Sequence, residues 1–126
     1  MLENNLAGFS IIPTKSKKGF EYYQINLQIK LAGEFPIDAL IEKKEETIHI
    51  FDAGSTLHDI MALGIHPFEG KVFSALQHCV QKYGVSLNEN GEFEISGEDK
   101  NAEGLVRSYI EALKEVSQWI DSQIPK

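Results

Sequence analysis

The stretch "FDAGSTLHDIMALGI", residues 51–65, is where the hydrophobic pattern of this chain changes period, and its reading decides the fold. Up to Phe51 apolar residues recur at every second position, the mark of a strand with one buried face. From residue 55 the spacing becomes helical, with Leu57, Ile60, Met61 and Leu63 on one stripe. Each polar residue between the two patterns has a structural use. Asp52 ends the strand, Gly54 turns the backbone without a side-chain penalty, Ser55 or Thr56 is available as N-cap, and Gly64 stops the helix.

Upstream, Leu2, Leu6 and Phe9 are placed to share a face in a short amphipathic opening. "FEYYQINLQIKLA" then alternates from Tyr23 through Ile25, Leu27 and Ile29 to Leu31, and "GEFP" breaks it. "IDALIE" and "TIHIF" read as two further strands joined by "KKEE". Three successive strands with short links predict an antiparallel meander. Downstream, "EGKVFSALQHCVQKYG" sets Val72, Phe73, Leu76, Cys79, Val80 and Tyr83 on one helical side, with Gly84 at its C-terminal end. "VSLNENGEFEIS" predicts a hairpin about Asn90-Gly91, the favoured pair for a tight turn. A last helix capped by Asp99 runs to about residue 123, burying Ala102, Leu105, Val106, Tyr109, Leu113, Val116 and Ile120, with Gln118 and Trp119 beside the stripe. The order predicts an α+β domain over residues 1–126: an antiparallel meander sheet plus a short hairpin, with helices packed on one face.

Bulk properties narrow the function. A chain of 126 residues, 42% hydrophobic and 25% charged, is of a size to bury one core without metal or disulfide. Its apolar runs are too short for a bilayer, and the opening "MLENNLAGFSIIP" lacks a basic n-region, so a cytoplasmic, membrane-free protein is expected. The single cysteine, Cys79, agrees with a reducing compartment. A net charge of −7 argues against direct nucleic-acid binding, which needs lysine and arginine gathered on one face. The only basic run, "TKSKK" at 14–18, has no interleaved aromatics and reads as a solvated loop.

No catalytic constellation stands out. The four histidines, His49, His58, His66 and His78, match no zinc spacing, and no metal or cofactor is expected. Cys79 lies on the apolar stripe of its helix, where burial raises a thiol pKa instead of activating it. The "DAGST" turn lacks the glycine spacing and lysine of a phosphate loop, and Asp52 would repel an anion. It still defines an alternative function: a small enzyme or ligand-binding domain using Asp52, Ser55, Thr56 and His58, with Asp52 and His58 as an acid/base pair. The acid excess is the stronger signal. Glu89, Glu92, Glu94, Glu98, Asp99 and Glu103 crowd one stretch opposed by Lys100 alone. It reads either as a solvated face or as a docking surface for a basic partner.

A strand closing on "FDAGST", a short helix ending in "IMALG", a longer helix ending in "YGVSL", a hairpin and a terminal helix together resemble a phage- and prophage-associated family catalogued as domain of unknown function 1828. The likeness spans roughly residues 20 to 120. In that family the turn carries two successive acids before the glycine, whereas this chain has Ala53 in the second place. The resemblance implies a mobile-element context, where small acidic proteins commonly neutralise a toxin, a nuclease or a host defence factor. The leading expectation is therefore a non-enzymatic, immunity- or antitoxin-like protein that blocks a basic protein partner, such as a nuclease toxin, through Glu89 to Glu103. The exposed side of the sheet, around Glu21, Gln24, Asn26, Gln28 and Lys30, is the other candidate interface.

Overall fold

A computed structural model describes residues 5–14 and 19–124; Leu2 and the basic residues Lys15, Lys17 and Lys18 lie outside these. The long alternating run forms the central strand. β1 (Asn5–Leu6), β2 (Phe9–Pro13), β3 (Glu21–Leu31), β4 (Phe35–Lys44) and β5 (Thr47–Phe51) follow one another as antiparallel neighbours. After β5 come the helices α1 (Ser55–Ala62) and α2 (Gly70–Gln81), then β6 (Ser86–Leu87), β7 (Phe93–Glu98) and α3 (Ala102–Gln123). β7 returns antiparallel to β5, so the described strands form one seven-stranded sheet in the order β1-β2-β3-β4-β5-β7-β6. The hairpin extends the meander instead of standing apart from it.

Among the described residues, helices cover one face of that sheet only. The alternation in β3 turns Tyr23, Ile25, Leu27, Ile29 and Leu31 inward, where they join Ile37, Ala39, Ile41, Ile48, Ile50, Phe93 and Ile95 from the neighbouring strands. α3 lies across β3, β5 and β7, and α2 packs beside it. Its buried stripe is wider than expected, because Ile110 and Ala112 are buried along with Val106, Tyr109, Leu113, Val116 and Ile120. Leu105 and Trp119 are half-buried at the edge of this core. In β7, Gly97 makes room for Leu105: a Cβ there would lie 2.9 Å from Leu105 Cδ1.

Several local expectations differ from the structure, each for a physical reason. The opening segment is a hairpin in which Leu6 pairs with Phe9, because joining the sheet edge satisfies backbone groups that an isolated short helix would not. Ser55 and Thr56 do not cap α1; Gly54 occupies that position in a left-handed conformation (φ 84°), and both residues fall in the first helical turn. Asp99 does not cap α3 either. It opens a 3-10 turn (Asp99–Asn101), donates its amide to Glu46 O, and pairs with Lys43 at 3.7 Å. Met61, placed on the α1 stripe by spacing, is 53% exposed because the helix ends within a turn of it. The β6–β7 connection is a five-residue loop, not a two-residue turn at Asn90-Gly91. Asn88 organises it by accepting from the amides of Asn90 (2.9 Å) and Glu92 (3.0 Å).

Candidate functional site

The turn after β5 is built around one buried carboxylate. Ala53 and Gly54 both take positive φ (55° and 84°), and the Ser55 amide closes the turn on Asp52 O at 3.1 Å. This geometry, with two successive left-handed residues, points the Asp52 side chain back into the protein. Its Oδ1 accepts from the Gly54 amide (3.1 Å) and from the Phe93 amide of β7 (3.1 Å). Phe93 O in turn accepts from the Tyr109 hydroxyl of α3 at 2.8 Å. One β7 residue is thus clamped between the α1 turn and the longest helix.

Burial sets the electrostatics of this clamp. Asp52 is 3% exposed, and desolvation pushes its pKa above the usual carboxylate range, tempered by Thr56 and by the Gly54 and Phe93 amides. Asp52 Oδ2 and Thr56 Oγ1 are buried without a well-formed hydrogen bond, although the Thr56 hydroxyl lies near enough to the carboxylate to draw its pKa down. Tyr109 is pushed well above its ordinary pKa, first by burial and then by the charges of Asp52, Glu92 and Glu94, so it serves as a neutral donor. Ser55 Oγ donates to Asp52 O (2.9 Å), and His58 points to solvent. The four residues of the alternative site therefore do not converge on a cleft. Asp52 and Thr56 are consumed inside the fold, Ser55 closes the turn, and His58 stands apart.

The six acidic residues separate into three groups. Glu94 and Glu98 project from β7 onto the face that carries no helix. Glu89 and Glu92 sit on the Asn88 loop, where Glu92 accepts from Asn88 Nδ2 at 3.2 Å. Asp99 and Glu103 lie toward the helical side, paired with Lys43 (3.7 Å) and Arg107 (2.8 Å). Glu98 pairs with Lys100 at 3.1 Å, an exposed contact of small worth.

The uncovered sheet face gathers what the linear sequence scattered. Register places Ile12, Gln24, Leu40, Phe51, Glu94 and Ser86 in one cross-strand row. Tyr22, Glu42, His49 and Ser96 form the next. Asp38 pairs with Asn26 further along, at the bulge between Asn26 and Lys30 where Gln28 adopts φ 59°. At the centre His49 Nε2 meets Glu94 Oε1 at 2.8 Å, its ring stacked on Phe51 at 4.7 Å. Asp38 and Glu42 had not been counted among the site residues. The signal for them was the strand period itself, which puts 38, 40 and 42 opposite the buried Ile37, Ala39 and Ile41.

Elsewhere Cys79 is buried and its thiol is pushed up by desolvation and by Glu115, as its place on the helix predicts. Glu115 is held below the usual range by Lys82 and by the Tyr83 hydroxyl (2.7 Å), a surface cross-link between α2 and α3. Among the described residues no three histidine, cysteine or acidic side chains gather as metal ligands, and no helix is long and apolar enough to cross a membrane.

The molecule is thus an α+β domain whose antiparallel sheet is packed on one side and open on the other. The chain belongs to the family "Domain of unknown function DUF1828", whose model matches residues 37–116. That span runs from β4 into α3 and contains the whole Asp52–Phe93–Tyr109 clamp. No curated protein and no solved structure matches the chain.

Proposed function

We propose that this chain is a non-enzymatic binding protein of the cytoplasm, of immunity or antitoxin type, that neutralises a basic protein partner such as a nuclease toxin by docking it on the open sheet face. A phage or mobile-element setting fits that role. The observation behind the reading is that Asp38, Glu42, Glu94 and Glu98 alternate on this face with Tyr22, Leu40 and Phe51, without a covering layer. Carboxylates of this kind steer a cationic partner and exclude anionic ones, while aromatic and aliphatic anchors supply contact area at the centre of an interface. Glu89, Asp99 and Glu103 lie off this surface and contribute to the long-range field, not to the contact.

The test is co-expression with the product of the adjacent gene. Growth arrest by that product, relieved by the wild-type chain and no longer relieved by the Glu42→Lys, Glu94→Lys variant, is the expected result. An adjacent product that causes no arrest, or relief that persists in the folded charge-reversed variant, overturns the reading. Sedimentation of the purified chain covers the remaining occupant. A dimer of the wild type that the same variant dissolves would assign the face to a second copy instead.

A further inference from the structure

The open face is not uniform. Where the β4–β5 hairpin meets the start of β3, Phe20, Glu42, Lys44, Glu45, Thr47 and His49 line a shallow cleft of about 260 Å³. Its floor is aromatic: Phe20 stacks on Tyr22 with ring centroids 6.1 Å apart and planes 23° from parallel. Its wall is acidic, since Glu42 lies in register with both Tyr22 and His49, and its carboxylate, the neighbour of the Tyr22 hydroxyl, holds that phenol above its usual range. A cation already rests there. Lys44 Nζ sits 5.1 Å from the Phe20 ring centroid, while its side chain is otherwise exposed. The chain's own ammonium shows what this surface attracts, and an exposed occupant costs little to move.

Resting on the docking face argued above, we propose that this cleft receives an arginine side chain of the basic partner, displacing Lys44 from Phe20. A guanidinium is planar and weakly hydrated, so it stacks on the phenyl floor while its fork of donors meets the Glu42 carboxylate. Lysine offers a point charge with neither feature. The cleft therefore selects arginine over lysine, and Lys44 acts as an internal competitor that lowers the affinity for either.

The experiment titrates the full-length, isotope-labelled chain with a tetra-arginine peptide and, separately, a tetra-lysine peptide at low salt, reading backbone amide shifts. The amides of Phe20, Glu42, Thr47 and His49 are expected to move most, and the arginine peptide to bind more tightly. Phe20→Ala should weaken it about three-fold, the scale of one exposed cation–aromatic contact. Lys44→Gln should tighten it by a similar factor and by more than Lys71→Gln, which removes one exposed cation remote from the cleft and so reports the net-charge effect alone. A gain in Lys44→Gln no larger than in Lys71→Gln, or equal binding of the two peptides, overturns the proposal. If the peptide moves Asp38 and Glu94 but not the cleft, the cleft proposal falls while the docking face stands. If it moves no amide on the open face, both fall.

Discussion

The β5–α1 turn and the open sheet face are both rich in polar side chains, and the fold treats them oppositely. In the turn, Asp52 and Thr56 are turned inward, and Asp52 is bonded to amides that would otherwise be orphaned. On the open face, Asp38, Glu42, Glu94 and Glu98 remain at the surface, interleaved with apolar rings. Local density of polar residues is thus a poor guide to a site. What separates the two regions is whether the backbone needs those side chains for its own hydrogen bonds.

The largest effect should come from the turn. Asp52→Ala leaves the buried amide of Phe93 and the half-buried amide of Gly54 without an acceptor and should cost about 3 kcal/mol in chemical denaturation. Asp52→Asn keeps the accepting oxygen and adds a donor toward Thr56 Oγ1, so it should lie close to wild type at neutral pH. Equal losses in the two variants would mean that the charge, not the hydrogen bonds, is what the site requires, and would reopen the turn as a functional centre. The pH dependence has a defined sign. Because burial raises the Asp52 pKa in the folded state, its contribution is full below the unfolded value near 3.8 and is lost as pH rises through the folded value. Subtracting the stability–pH curve of Asp52→Asn from that of wild type should leave a difference that falls with rising pH.

A second perturbation tests the loop that carries the clamp to β7. Gly91 is buried at φ 81°, and a Cβ there would lie 2.8 Å from Phe68 Cζ, so Gly91→Ala should cost about 2 kcal/mol. Adding Phe68→Ala removes the clash but not the backbone strain, and should restore part of the loss in a thermodynamic cycle. Full additivity of the two substitutions would show that the ring does not press on the loop. A gain is expected at Ala53, a non-glycine residue held at φ 55°: Ala53→Gly should stabilise by about 0.5–1 kcal/mol, visible as a higher Tm. No gain there would mean that the turn relaxes in solution. Smallest of all, Glu42→Gln and Glu98→Gln together should change stability by less than about 0.5 kcal/mol, because surface carboxylates contribute little singly.

How much of this was legible in the sequence follows the range of the interactions. The meander was readable because alternation from Tyr23 to Leu31 and the apolar positions of "IDALIE" and "TIHIF" are local signals with one period. α2 and α3 were readable for the same reason. The caps were not, because Gly54 takes the α1 cap position in a left-handed turn that Asp52 ties to Phe93, 41 residues away, and Asp99 is drawn to Glu46 and Lys43 across the sheet. The acidic stretch looked continuous because sequence proximity hides the strand period. β7 sends Glu94 and Glu98 to the open face, while the chain then turns Asp99 and Glu103 toward the helices. Glu42 and Asp38 enter the same surface only through the register of β4 with β3 and β5.

We propose that the open face, and not the turn, is where this protein meets its partner. This is tested most directly by the association rate with the co-expressed partner, measured across a series of salt concentrations for wild type, for Asp52→Asn and for the Glu42, Glu94, Glu98 triple glutamine variant. Steering by surface charge is screened over about 8 to 10 Å at ordinary ionic strength, so it shows as a salt-dependent on-rate. A slower on-rate and a flatter salt slope are expected for the triple variant, with Asp52→Asn indistinguishable from wild type. An unchanged slope in the folded triple variant, or a loss confined to Asp52→Asn, would contradict it.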